Sequence, residues 1–126
     1  MCSSDLAGPA FLSGLSLRLV EGDRGQLTSE QILDNINPDN IHQPPTRLVS
    51  LENTHNKGGG SVYPKGMLKK LADTARSKGL GVHLDGARIF NAMTVTGETP
   101  QEIGASADTL SVCLSKGLGE IGRAHV

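Results

Sequence analysis

A chain of 126 residues with 12 basic and 13 acidic side chains carries a formal net charge of −1, which gives no electrostatic footprint for nucleic acid or an anionic membrane. No apolar run approaches the roughly 18 residues of a membrane-spanning helix, and no secretory leader is visible. Of the 2 cysteines, Cys2 lies at the extreme N-terminus and Cys113 inside an apolar run, a usage that fits a reducing, cytoplasmic setting without an internal disulfide.

The two ends have a separate reading. Met1 to Leu6 and Glu120 to Val126 are peptides that a common sequencing-adapter oligonucleotide encodes when read inward from either side. Residues 1–6 and 120–126 are therefore expected to be adapter-derived and are set aside from fold reasoning. Removing Asp5, Glu120 and Arg123 with them leaves acidic and basic residues balanced. Aromatic residues are limited to Phe11, Tyr63 and Phe90, so Leu, Ile, Val, Ala and Met must build the core.

In chain order, Leu15 to Val20 reads as a strand. Thr28 or Ser29 caps a helix through Gln31, Ile32, Leu33 and Ile36, which Asn37-Pro38 ends. Residues 39–45 form a polar, proline-bearing loop. Arg47 to Leu51 is the second strand. Pro64 opens a longer helix that places Met67, Leu68, Leu71, Ala72 and Ala75 on one face, with Lys69, Lys70, Arg76 and Lys78 outside it; Gly79 terminates it. Gly81 to Asp85 is a third strand, a short helix starts near Thr99-Pro100 and includes Ile103, and Thr109 to Leu114 is the fourth strand.

This alternation predicts an α/β fold with a mostly parallel sheet flanked by helices. Ligands of such sheets sit outside the carboxyl ends of the strands. Those ends carry Glu52-Asn53-Thr54-His55, Asp85-Gly86-Ala87-Arg88 and Ser115-Lys116-Gly117, so an imidazole, a carboxylate with a guanidinium and an amine should share one rim. An uncrowded lysine there can attack a carbonyl compound once its pKa is lowered by burial or neighbouring charge.

Taken singly, each residue has a plainer reading. Lys116 alone is a solvated lysine, Asp85-Gly86 a turn, His55 a loop residue, and His83 a satisfied core histidine. Gly58-Gly59-Gly60 is a turn before it is a phosphate cradle. Gly117 to Gly122 matches Gly-x-Gly-x-x-Gly after a strand. A dinucleotide loop, however, needs a helix opening on it and an acidic residue about 20 positions later, and only four residues follow Gly122. No His/Cys cluster has metal-ligand spacing, so no metal is called for.

In combination the segments are far more specific. "SLENTHN", "HLDGARIFNA" and "SVCLSKGLG", in this order and together with "PAFLSG", closely resemble the threonine aldolases, pyridoxal-phosphate enzymes of the aspartate-aminotransferase-like fold. The likeness covers residues 7–119. It stops at Gly119, where that family continues with Ala-Pro-Val-Gly-Ser. The resemblance implies that residues 7–119 are the central part of a cofactor-binding large domain (fold type I), in a homo-oligomer when full length.

It also implies roles. Lys116 corresponds to the lysine that bonds to the aldehyde of pyridoxal 5'-phosphate. Asp85 corresponds to the carboxylate that pairs with the pyridine nitrogen, and Arg88 to the arginine meeting the substrate carboxylate or the ring's phenolic oxygen. His55 corresponds to the histidine beside the substrate β-hydroxyl, as base or as positioner. The implied reaction is retro-aldol cleavage of L-threonine or L-allo-threonine to glycine and acetaldehyde. Another lyase or a transaminase of the same fold would use the same lysine and aspartate. A chain lacking the family's upstream ring-stacking and phosphate contacts would be inactive in isolation.

Overall fold

The computed structural model describes residues 8–120 and 123–125. Its elements are α1 (Gly8–Ser13), α2 (Ser29–Asp34), β1 (Leu48–Glu52), α3 (Met67–Ser77), β2 (Gly81–Gly86), α4 (Ile89–Thr96), α5 (Pro100–Gly104), β3 (Thr109–Cys113), α6 (Leu114–Gly117) and β4 (Arg123–His125).

Local chemistry sets the helix boundaries. Thr28 and Gln31 form a reciprocal capping box at α2: the Thr28 hydroxyl accepts from the Gln31 N–H at 3.2 Å and the Gln31 amide oxygen from the Thr28 N–H at 3.0 Å. Thr99 and Glu102 repeat the device at α5, with Pro100 in the first turn. The long amphipathic helix α3 buries Leu68, Leu71, Ala72 and Ala75 and ends at Gly79, whose φ of 71° is the left-handed conformation a helix stop requires. It starts later than Pro64 suggests. The Met67 N–H bonds to the Pro64 carbonyl at 3.0 Å, and Gly66 at φ 78° forms the turn before the first helical residue.

Strands β1, β2 and β3 are parallel neighbours, with Leu51 opposite Leu84, Glu52 opposite Asp85, and Asp85 opposite Ser111. Because register partners share a face, the sheet has two unlike sides. Val49, Leu51, Val82, Leu84, Leu110 and Val112 join a core with Leu68, Leu71, Ala75, Ile89, Ala92 and Ile103 from the helices. The opposite side carries Ser50, Glu52, His83, Asp85, Thr109 and Ser111.

Two expectations are corrected, the strand at Leu15 to Val20 and the core placement of His83. Leu15 to Val20 forms no strand, and Leu15, Leu17 and Leu19 stand 51%, 48% and 88% exposed. A strand persists only when a neighbour takes up its N–H and C=O groups, and none of the described residues lies beside this segment as a strand. Helices α1, α4 and α6 were not anticipated from the sequence. His83 is satisfied, with Nδ1 2.8 Å from the Thr109 hydroxyl, but it stands half-buried on the polar side rather than in the core. Of the ends set aside as adapter-derived, residues 1–6, 121, 122 and 126 lie outside the described residues, while 123–125 pair antiparallel with β3.

Asp108 ties α3 to the sheet. Its Oδ2 accepts from the Val82 N–H at 2.7 Å and its Oδ1 pairs with Arg76 at 2.9 Å. The backbone donor, and secondarily Arg76, hold this carboxyl below the usual aspartate range. A depressed folded-state pKa contributes stability above the ordinary aspartate pKa and loses it as pH falls through the folded value. Asp108→Asn should therefore flatten the acid limb of a stability-versus-pH curve from urea denaturation, with its largest difference from the parent near neutrality.

Candidate active site

The carboxyl ends of β1, β2 and β3 lead into the segments that carry His55, Asp85 with Arg88, and Lys116. Adjacent strands lie about 4.8 Å apart, so groups following β1 and β3 start within roughly 10 Å of one another. His55, Asp85 and Lys116 thus stem from three consecutive strands at one end of the sheet.

At β1 the ladder runs on past the strand, with the Asn53 N–H donating to the Asp85 carbonyl at 3.0 Å. Asn53 is fully buried; its amide oxygen accepts weakly from the Tyr63 N–H at 3.4 Å, and its Nδ2 has no partner among the described residues. A short antiparallel bridge between His55 and Ser61 closes the following loop, with Gly59 and Gly60 both at φ 75°. The three glycines make the turn expected of them. Within it the Gly58 N–H donates to His55 Nδ1 at 2.9 Å, and His55 Nε2 lies 3.5 Å from Glu52 Oε2.

A second loop clasps the first. The Ser61 hydroxyl donates to the Arg24 carbonyl at 2.6 Å, and Gln26 Nε2 to the Val62 carbonyl at 3.1 Å. The buried Tyr63 hydroxyl accepts from the Leu27 N–H at 2.8 Å and donates to the Gly25 carbonyl at 3.4 Å. Gly25 passes so close to the His55 ring that a Cβ there would overlap the imidazole. Burial pushes the Tyr63 phenol above its ordinary pKa, with the Leu27 N–H partly opposing. The stability tied to the neutral phenol is present below about pH 10 and lost as pH rises through the folded value. Tyr63→Phe leaves two backbone groups without their partner, and thermal or urea unfolding should register a loss of about 1–3 kcal/mol.

At β2, Asp85 is half-buried. Its Oδ1 accepts from the Ala87 N–H at 3.0 Å and from the Ser111 hydroxyl at 3.2 Å, while Oδ2 makes no hydrogen bond among the described residues. Arg88, half-buried, occupies the N-cap of α4, and its guanidinium has no acidic partner among the described residues. Lys116 lies in α6 directly after β3, exposed, its amine likewise without a partner among the described residues. Gly117 lets α6 approach α4, since a Cβ there would come 2.8 Å from Asn91 Oδ1. A strand, β4, rather than a helix follows the glycines, which removes the dinucleotide-loop reading.

Sequence reasoning missed Glu52, Asn53 and Ser111. The first two were visible beside His55; Ser111 meets Asp85 only through strand register.

The Beta-eliminating lyase family model matches residues 1–123 of the chain. A low specificity L-threonine aldolase of Escherichia coli K12 is 45% identical over 116 residues, covering 91% of this chain and 34% of that protein. The alanine racemase TOXG of Cochliobolus carbonum is 36% identical over 117 residues, covering 91% of this chain and 29% of that protein. Among solved structures, a Leishmania major threonine aldolase superposes with a TM-score of 0.77 at 24% identity, over 87% of this chain and 32% of that one. The chain spans about a third of the length of the curated relatives it matches. A parallel α/β sheet, a lysine and an aspartate at one strand edge, and a family match along nearly the whole sequence lead to one assignment: the chain belongs to the beta-eliminating lyase family.

Proposed function

We propose that this chain is the central part of a pyridoxal-phosphate-dependent threonine aldolase that cleaves L-threonine or L-allo-threonine to glycine and acetaldehyde. Residues 7–119 are then part of its cofactor-binding large domain, in a cytoplasmic homo-oligomer. The observation that carries the reading is the arrangement, at one end of the sheet, of groups without a partner among the described residues: Asp85 Oδ2, the Lys116 amine, the Arg88 guanidinium and the buried Asn53 Nδ2. These donors and acceptors fit an anionic, aldehyde-bearing pyridine cofactor and an amino-acid substrate.

Bound pyridoxal phosphate supplies an electron sink for the pair left on Cα when a bond to it breaks. Lys116 would hold the cofactor covalently through its amine. Asp85 is preoriented by Ala87 and Ser111, which fix Oδ1 and leave Oδ2 as the acceptor for a protonated ring nitrogen. Arg88 offers a planar fork suited to a carboxylate. His55, just after β1, is the residue we assign to the substrate's β-hydroxyl, as base or as positioner.

The test uses the full-length enzyme that carries this segment. Incubation with L-threonine or L-allo-threonine should release acetaldehyde and glycine in equal amounts. Turnover of alanine between its enantiomers, or of a keto acid to an amino acid, without aldehyde release would replace the aldolase reading with a racemase or transaminase.

A further inference from the structure

A cleft among the helices holds a buried carboxylate whose charge the described residues leave unmatched. It has a volume of about 330 Å³ and is walled by Lys65, Gly66 and Lys69 at the start of α3 and by Glu98, Glu102 and Ala105 around α5. None of these residues belongs to the strand edge that carries His55, Asp85 and Lys116. Glu98 is only 7% exposed. Its Oε1 accepts from the Gly66 N–H at 3.0 Å, and its Oε2 has neither a hydrogen bond nor a cation among the described residues. The backbone fixes it there. Gly97 ends α4 at φ 70°, the Thr96 hydroxyl accepts from the Glu98 N–H at 3.2 Å, and the Thr99–Glu102 capping box starts α5 at the next residue.

Burying a carboxylate is unfavourable unless it is paired. The Gly66 donor and the positive end of the α3 dipole offset part of that cost. The two lysines of the cleft do not offset the rest, because Lys65 pairs with Glu102 at 3.8 Å and Lys69 with Asp73 at 2.6 Å. From this arrangement we propose that the cleft binds a small aliphatic ammonium ion. Glu98 Oε2 accepts from the ammonium N–H, while Ala105 and the methylene stems of Lys65 and Lys69 cover the carbon chain. The volume stands near the lower end of the range for small-molecule sites. A metal ion suits the cleft less well: no group of three or more His, Cys, Asp or Glu side chains among the described residues could hold one, and hard cations collect about six or more oxygens. The inference is independent of the aldolase reading.

The test uses the full-length holoenzyme and N,N-dimethylbutylammonium chloride, a tertiary amine that keeps an N–H and cannot condense with an aldehyde. A saturation-transfer NMR titration should show one saturable site with a dissociation constant in the millimolar range, and n-pentanol, neutral and of similar size, should bind at least about tenfold more weakly. Glu98→Gln keeps an acceptor for the Gly66 N–H and removes only the charge, so the ammonium should bind at least about tenfold more weakly. Ala105→Met leaves Glu98 in place and fills the cleft, so binding should disappear. A parent without saturable binding, an alcohol that binds as well as the ammonium, or either variant binding as the parent does overturns the proposal. Threonine cleavage is not read in this titration, so the aldolase reading can fail without affecting its outcome.

Discussion

Lys116→Ala in the full-length enzyme should abolish the visible absorbance of bound cofactor and lower threonine cleavage by at least about a thousandfold, because the proposed covalent attachment of the cofactor aldehyde is through this amine. Lys116 follows directly on β3, one strand from Asp85, and its exposed amine has no partner among the described residues to give up. The same isolation means the substitution removes no structural contact, so the thermal unfolding midpoint of the cofactor-free protein should stay within a degree or two of the parent. A variant that retains the absorbance and the activity would remove Lys116 from the chemistry. One that loses both only by unfolding would show a lowered midpoint.

Asp85→Asn is the second large effect. The amide oxygen of asparagine still accepts from the Ala87 N–H and the Ser111 hydroxyl, so the local fold persists. In the proposed reading what is lost is the negative charge that would stand beside the ring nitrogen, keep it protonated and leave the ring able to accept electrons. A charge stabilisation of this kind is typically worth about 100–1000-fold in kcat, with weaker cofactor binding accompanying it. Steady-state kinetics together with cofactor titration check it. An unchanged kcat at saturating cofactor would assign the pairing role elsewhere.

The sheet and its edge were legible because they follow from local patterns. Leu48–Glu52, Gly81–Gly86 and Thr109–Cys113 are short apolar runs, and Leu68, Leu71, Ala72 and Ala75 repeat at helical spacing. Topology then carried His55, Asp85 and Lys116 to one end without any knowledge of side-chain positions. Helix α4 was less visible. It has no side-chain cap at Arg88, and Thr94, Val95 and Thr96 are β-branched, so its helix comes from packing Ile89 and Ala92 into the core rather than from propensity. Leu15 to Val20 shows the converse: it has strand composition, but composition cannot supply the neighbouring strand that pairing needs.

The groups that orient the site were hidden for a different reason. Ser111 reaches Asp85 across 26 positions of sequence, and Tyr63 reaches Leu27 across 36. Contacts of that separation are set by register and loop docking, which no single window of sequence encodes. Glu52 was three residues from His55 throughout, yet their 3.5 Å contact accompanies a turn at Gly58-Gly59-Gly60 whose Gly58 N–H holds the imidazole.

The central claim is that one pyridine cofactor is bonded at the end of β3 and recognised from β2. Borohydride reduction of the full-length holoenzyme, followed by peptide mass mapping, tests it most directly. A pyridoxyl mass increment on the peptide containing Lys116 is the predicted result; an increment on a different lysine, or on none, would contradict it.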